Sequence, residues 1–178
     1  MKRFTILWSH QLWQMFIAPS TYIAAFMFLT FMAVMYLFSL VDISMSASDV
    51  SPLGKFLSVF WVPVLFMVPL LTMRSIAEER RMGTLATLMT TPVTAGQIVL
   101  AKFLACYFFY ILLWIMTLFF PLITELYIPN SIRAAGLMPM SQLLTGYGFI
   151  FISGAMYIAI GIFASSLTRT TLVAGMLS

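Results

Sequence analysis

Residues 21–41 read Thr21-Tyr22-Ile23-Ala24-Ala25-Phe26-Met27-Phe28-Leu29-Thr30-Phe31-Met32-Ala33-Val34-Met35-Tyr36-Leu37-Phe38-Ser39-Leu40-Val41. The run carries no charged side chain. At about 1.5 Å of rise per residue, a helix of this length crosses the hydrocarbon core of a bilayer, about 30 Å thick. It is too long for the apolar core of a signal peptide, no small-residue cleavage site follows it, and Asp42 lies immediately beyond, so it reads as a retained membrane helix. Three further apolar stretches of comparable character follow at 56–73, 103–123 and 143–167. The expected fold is therefore an all-α integral membrane protein, with 1–178 forming a single transmembrane domain of four complete membrane helices.

Punctuation along these stretches adds detail. Pro63 and Pro69 predict kinks in the second span, and Pro121 falls near the end of the third. A polar loop containing Glu125, Asn130 and Arg133 separates the third span from the fourth. After Thr168-Arg169-Thr170, residues 171–178 begin another apolar run. So short a run does not cross a bilayer, which predicts a fifth span continuing in a longer protein.

Composition agrees with lipid as the solvent. Of the 178 residues 62% are hydrophobic and only 8% charged, with a mean hydropathy of +1.06. A water-soluble domain of this size has too much surface to cover with so few charges. The pI near 9.5 consequently carries no nucleic-acid reading. Cys106 stands alone, so one chain builds neither a disulfide nor a thiolate metal site. The 15 methionines, Met138 and Met140 among them, are scattered rather than set at ligand spacing, so apolar packing explains them and no metal site is expected.

Basic residues mark the side of each loop. Lys2, Arg3, Arg74, Arg80, Arg81, Lys102 and Arg169 fall on the N-terminal side of the spans, against Lys55 and Arg133 on the other. The predicted topology is multi-pass, in the cytoplasmic (inner) membrane of the cell, with the N-terminus in the cytoplasm and Asp42, Asp49 and Glu125 outside.

Residues 1–20 precede the first span. On a helical wheel Phe4, Trp8, Leu12, Met15 and Phe16 share one broad face, while Arg3, His10 and Gln14 share a narrow polar stripe. This pattern predicts a helix lying in the membrane interface, separated from the first span by Pro19-Ser20. Two roles fit it: a simple anchor, or an elbow that follows a moving bundle. His10, the single histidine, lacks visible partners for metal binding or catalysis.

Charge is concentrated between the second and third spans. Arg74 and Glu78 stand at i, i+4, and Glu78 and Arg81 at i, i+3, so a cytoplasmic extension of the second helix carries a paired charge ladder. Gly83 is placed to end that helix. Thr84 is placed to cap a short second one bearing Leu85, Leu88 and Met89, which Pro92 closes. A short amphipathic helix beneath a bundle suits docking in another protein's groove, whereas the plain alternative is a solvated loop with a charge run.

The run Arg74-x3-Glu78-Glu79-x3-Gly83-Thr84-Leu85-x2-Leu88-x3-Pro92-Val93, followed by Ile98-Val99-Leu100-Ala101-Lys102-Phe103-Leu104, resembles the signature region of the ABC-2 family of transporter membrane subunits. Within that family it is most similar to the gliding-motility-associated permeases. The resemblance in spacing and topology covers nearly the whole chain, with its specific residues between Arg74 and Phe103. It implies an N-terminal interfacial helix, six membrane spans in the full-length protein, and a cytoplasmic coupling region at 74–97. It further implies that two such subunits, identical or different, pair over two ATP-binding subunits. Arg74, Glu78, Glu79, Gly83, Thr84, Leu85 and Leu88 then belong to the ATPase-coupling region, and Lys102 marks the return into the membrane. Many relatives carry an acidic residue where this chain has Ala86. Nothing in the chain resembles a phosphate-binding Gly-rich loop with its Lys and Ser/Thr. The chain is accordingly expected not to be an enzyme, with ATP and Mg bound by the partner subunit.

In the fourth span Gly146, Gly154 and Gly161 recur along roughly one face, as close helix packing requires. Spacing leaves open whether that contact is internal or at a dimer seam. Two other function classes compete. An intramembrane enzyme needs ionisable residues converging at one depth, and the spans supply almost none. A non-catalytic membrane scaffold or assembly factor shares the spans but lacks a coupling partner.

Overall fold

The computed structural model describes residues 2–45, 52–72, 94–127 and 140–167. Among these the structure is helical throughout, broken only at short joints: α1 (Lys2–Ile17), α2 (Pro19–Met45), α3 (Pro52–Ser58), α4 (Trp61–Thr72), α5 (Ala95–Thr117), α6 (Phe119–Tyr127) and α7 (Met140–Leu167).

Local chemistry sets the joints. Pro19 opens α2, where its missing N–H would have no helical partner in any case. The Tyr22 hydroxyl reaches back to donate to the Phe16 carbonyl at 2.5 Å and fixes the corner between α1 and α2. The next two breaks each lie just ahead of a proline. Pro63 has no N–H for the carbonyl of Val59, and its ring crowds that carbonyl. The Val59 oxygen accepts instead from Val62 N–H at 3.2 Å, and the helix is interrupted between Ser58 and Trp61. Pro121 stands in the same relation to Thr117, the last residue of α5. At Leu118 the ladder slips to a shorter bond, Leu118 N–H to Ile115 oxygen at 3.1 Å, before α6 begins. Pro69, by contrast, is carried inside α4 without a break.

Among the described residues three helical stretches are long and apolar enough to cross a membrane: Pro19–Asp42, Gly96–Thr124 and Met140–Leu167. They contain the expected first, third and fourth spans at 21–41, 103–123 and 143–167. The expected second span differs. Instead of one helix over 56–73 the chain forms the seven-residue α3 and the twelve-residue α4. The joint at Val59 and Phe60, ahead of Pro63, separates the two, and among the described residues Trp61–Thr72 is a shorter apolar helix. Residues 171–178, read as the start of a fifth span, lie outside the described residues.

Side-chain contacts give the helix directions. Tyr107 and Tyr110 of α5 meet Phe151 and Ile150 of α7, while Thr117 farther along α5 meets Tyr147 earlier in α7, so these helices are antiparallel. Phe28 and Tyr36 of α2 meet Trp114 and then Phe120, so α2 runs with α5. Leu57 and Phe60 lie against Gly146 and Phe149, so α3 and α4 run with α7. The end of α4 at Thr72 and the start of α5 at Ala95 therefore lie at one end of the bundle, together with α1.

The core is aromatic. Trp114 and Tyr110 are fully buried. Phe28 packs edge-on against Trp114 at 5.2 Å between ring centroids, and Tyr147 does so at 6.1 Å. Such pairs add about 0.5–1.5 kcal/mol beyond the area they bury. At the opposite end of the bundle from α1, Lys55 of α3 forms an ion pair with Asp42 of α2.

Candidate functional site

The end of the bundle where positions 73–93 join α4 to α5 is organised by the first turns of α5. Thr94 precedes the helix in an extended conformation; its N–H donates to Gln97 Oε1 at 3.3 Å, while Gln97 N–H donates to the Thr94 carbonyl at 3.0 Å. This reciprocal arrangement satisfies amide groups that a helix start otherwise leaves open. Residues 95–97, the last part of the expected 74–97 coupling region, are the first residues of α5.

Lys102 lies about two turns inside α5, which begins at Ala95. It is buried, at 3% exposure, and its Nζ donates to Gln11 Oε1 of α1 at 3.3 Å. Gln11 is itself buried at 7%. An ammonium group withdrawn from water is costly unless it is hydrogen-bonded, and the amide oxygen of Gln11 supplies one such bond. The two helices also meet through aromatic edges: Trp8 against Phe108 at 6.4 Å and Phe16 against Phe109 at 5.7 Å. Ala101 and Ala105, one turn apart on α5, are fully buried, and their small side chains permit close helix approach.

The remaining predicted residues divide into two groups. Arg74, Glu78, Glu79, Gly83, Thr84, Leu85 and Leu88 lie outside the described residues. Gly146, Gly154 and Gly161 lie on α7. A Cβ added at Gly146 would stand 2.5 Å from Leu57 Cδ1; one at Gly154 would stand 2.3 Å from Tyr110 Cε1 and 2.5 Å from Cζ. Gly161 is buried. Both measured approaches are contacts within this chain.

Sequence reasoning did not single out the hydroxyl ladder between α5 and α7. Tyr107 Oη donates to the Phe151 carbonyl at 3.1 Å and Tyr110 Oη to the Ile150 carbonyl at 3.2 Å. Thr117 Oγ1 and Tyr147 Oη lie 2.9 Å apart, and Thr117 also donates to the Trp114 carbonyl at 2.7 Å. On a neighbouring side Tyr36 donates to Thr124 at 2.9 Å. A hydroxyl in an apolar span must find an acceptor inside the protein, so these tyrosines were a usable signal. Gln11 was another: an amide between Trp8 and Met15 on an otherwise apolar helix face. Among the described residues no group of three or more His, Cys, Asp or Glu comes together to hold a metal.

A helical membrane bundle with this order of elements fits many transporters, and a family model decides among them: the model described as ABC-2 family transporter protein matches residues 43–178. The chain belongs to the ABC-2 transporter family. The match runs from the end of α2 through α7 and includes the 74–97 stretch, while α1 and most of α2 precede it. No curated protein and no solved structure matches the chain. Membership makes it a multi-pass transmembrane protein and the membrane-spanning permease component of an ABC transporter, and implies assembly with an ATP-binding subunit.

Proposed function

We propose that this ABC-2 permease moves substrate across the cytoplasmic membrane using ATP hydrolysed by a separate subunit docked on residues 74–97. The observation that carries the reading is the family match, which includes that whole stretch. Arg74, Glu78, Glu79, Gly83, Thr84, Leu85 and Leu88 make the docking surface, and Lys102 holds the adjoining start of α5 against α1. The N-terminus and residues 74–97 face the cytoplasm, a side supported by the positions of Lys2, Arg3, Arg74, Arg80 and Arg81.

ATP and Mg bind the partner subunit, and this chain supplies no catalytic group. ATP binding draws two ATPase subunits together, and residues 74–97 pass that displacement to α4 and α5, the helices they join. A second permease subunit completes the pathway. The pattern from Arg74 to Phe103 favours the gliding-motility-associated branch of the family.

The test is to extract the full-length protein from its native membrane in mild detergent and identify by mass spectrometry what remains bound in stoichiometric amount. A soluble subunit bearing an ATP-binding motif is expected. Its absence, under conditions that keep another ABC transporter intact, would leave a scaffold without a coupling partner as the better reading.

A further inference from the structure

Two joints in this bundle lie just ahead of prolines, and their surroundings differ. At the joint before Pro121 both flanks are held by contacts that fix direction. Thr117, at the end of α5, meets the Tyr147 hydroxyl at 2.9 Å, while Phe120 and Thr124 of α6 meet the ring and the hydroxyl of Tyr36. A shift of either flank breaks a hydrogen bond or unstacks a ring.

The joint before Pro63 is held in this way on one flank only. On the α3 side Lys55 pairs with Asp42, Phe56 packs edge-on against Tyr36 at 5.3 Å, and Leu57 fills the space over Gly146. At the joint itself Phe60 packs against Phe149. Beyond it the contacts change character. Val64, Met67, Val68 and Leu71 are buried, yet from Trp61 to Leu71 no side chain forms a hydrogen bond, an ion pair or a ring contact among the described residues. Aliphatic and thioether groups hold a helix through buried area, which has no preferred direction, so such a surface slides at low cost. The backbone is weakened along the same stretch. The Val59 oxygen accepts from Val62 rather than from position 63, and Pro69 leaves the Leu65 carbonyl without its helical donor farther along.

We infer that the residues between Ser58 and Trp61 are a hinge: α4 pivots about a point pinned by Phe60 on Phe149, while α3 stays fixed to α2 and α7. Because α4 is the half that leads into residues 73–93, the hinge separates a helix free to follow that segment from a frame that does not move. The hinge rests on α3, α4 and their neighbours alone. Its part in transport rests also on the reading that residues 74–97 receive the ATP-binding subunit.

The test reads distances between paired nitroxides by double electron–electron resonance in the full-length protein, reconstituted in phosphatidylcholine–phosphatidylglycerol vesicles. Cys106→Ala is the background, and labelled chain is diluted with unlabelled chain so that each distance lies within one molecule. The α4 pair joins half-buried Leu70→Cys to exposed Leu100→Cys on α5; the α3 pair joins Ser58→Cys to Ile115→Cys, both exposed. A broad or split distribution is expected for the α4 pair beside a single narrow one for the α3 pair. Pro63→Ala, which returns an N–H to the Val59 carbonyl, should collapse the α4 distribution to one distance, and Pro121→Ala should leave both pairs unchanged. Distributions of equal width for the two pairs in the parent would overturn the hinge, a comparison that needs neither proline variant to fold. An α4 distribution left broad by Pro63→Ala would overturn the placing of the pivot. In the complex that copurifies with the ATP-binding subunit, ATP with vanadate should displace the α4 pair by several ångströms and leave the α3 pair in place. An unmoved α4 pair there would overturn the hinge's part in transport. Failure of any ATPase to copurify would instead strike the docking reading, and the vesicle measurement would still decide the hinge.

Discussion

Gly154 and Tyr110 share a single notch between α7 and α5: a methyl group on Gly154 would lie 2.3 Å from Tyr110 Cε1 and 2.8 Å from its hydroxyl oxygen. That hydroxyl in turn donates to the Ile150 carbonyl, one helical turn before Gly154, at 3.2 Å. The missing side chain on one helix is thus the space that the ring on the other occupies, and the bond keeps the ring there.

Gly154→Ala should therefore be destabilising by about 1–3 kcal/mol, the usual cost of forcing volume into a packed core. Thermal melting of the purified protein in detergent measures it. Gly148→Ala, with nothing within 4 Å of the added carbon, is the control and should melt like the parent. Gly146→Ala should fall between them, because the atom it meets is the end of the flexible Leu57 side chain, which turns aside more readily than a ring. In a Tyr110→Leu background the cost of Gly154→Ala should shrink, and an undiminished cost would show that the notch is not the cause.

Removing the ladder hydroxyls should cost little singly. Tyr110→Phe and Tyr107→Phe each delete one bond to an α7 carbonyl and leave the ring in place, so each should lower stability by about 0.6 kcal/mol, the average for such bonds between membrane helices. A melting shift for Tyr110→Phe as large as that for Gly154→Ala would assign the seam to the hydroxyl rather than to the fit of the ring.

Much of this fold was legible from the sequence, and the parts that were not share a physical cause. The absence of charge from Thr21 to Val41 was enough to place α2, because lipid excludes charge wherever the helix happens to pack. Pro63 announced a disturbance, but whether a proline bends or divides a helix depends on the neighbours that hold each half. Here Phe60, at the joint, packs edge-on against Phe149 at 5.6 Å. Apolar character does not tell lipid from protein, so the wheel found the Phe4–Phe16 face of α1 without showing that α5 covers it. The Lys102–Gln11 bond joins residues 91 positions apart, and no local pattern links them.

Gln11→Leu should destabilise the α1–α5 contact by about 1–3 kcal/mol, since it takes an acceptor from a buried ammonium group. Gln11→Glu, which keeps an acceptor in place, should cost less. Replacing both partners, Gln11→Leu with Lys102→Met, should cost less than the sum of the two single changes when melting temperatures are compared in a double-mutant cycle. Strict additivity would mean that the two side chains do not stabilise one another.

The ion pair between Lys55 and Asp42 makes the opposite prediction. Both side chains are partly exposed, at 28% and 53%, and solvent screens their attraction. Asp42→Asn should change stability by less than about 1 kcal/mol, with any effect fading as salt is raised. A larger, salt-independent loss in melting measurements would contradict this.

The most direct test of the permease reading is the amount of ATP-binding subunit that copurifies with the full-length protein carrying Leu85→Asp, set against the unaltered protein, with melting followed in both. Docking on residues 74–97 predicts that the subunit is lost while the melting temperature of the membrane chain stays the same. Undiminished copurification of the ATPase with Leu85→Asp would contradict docking through that surface.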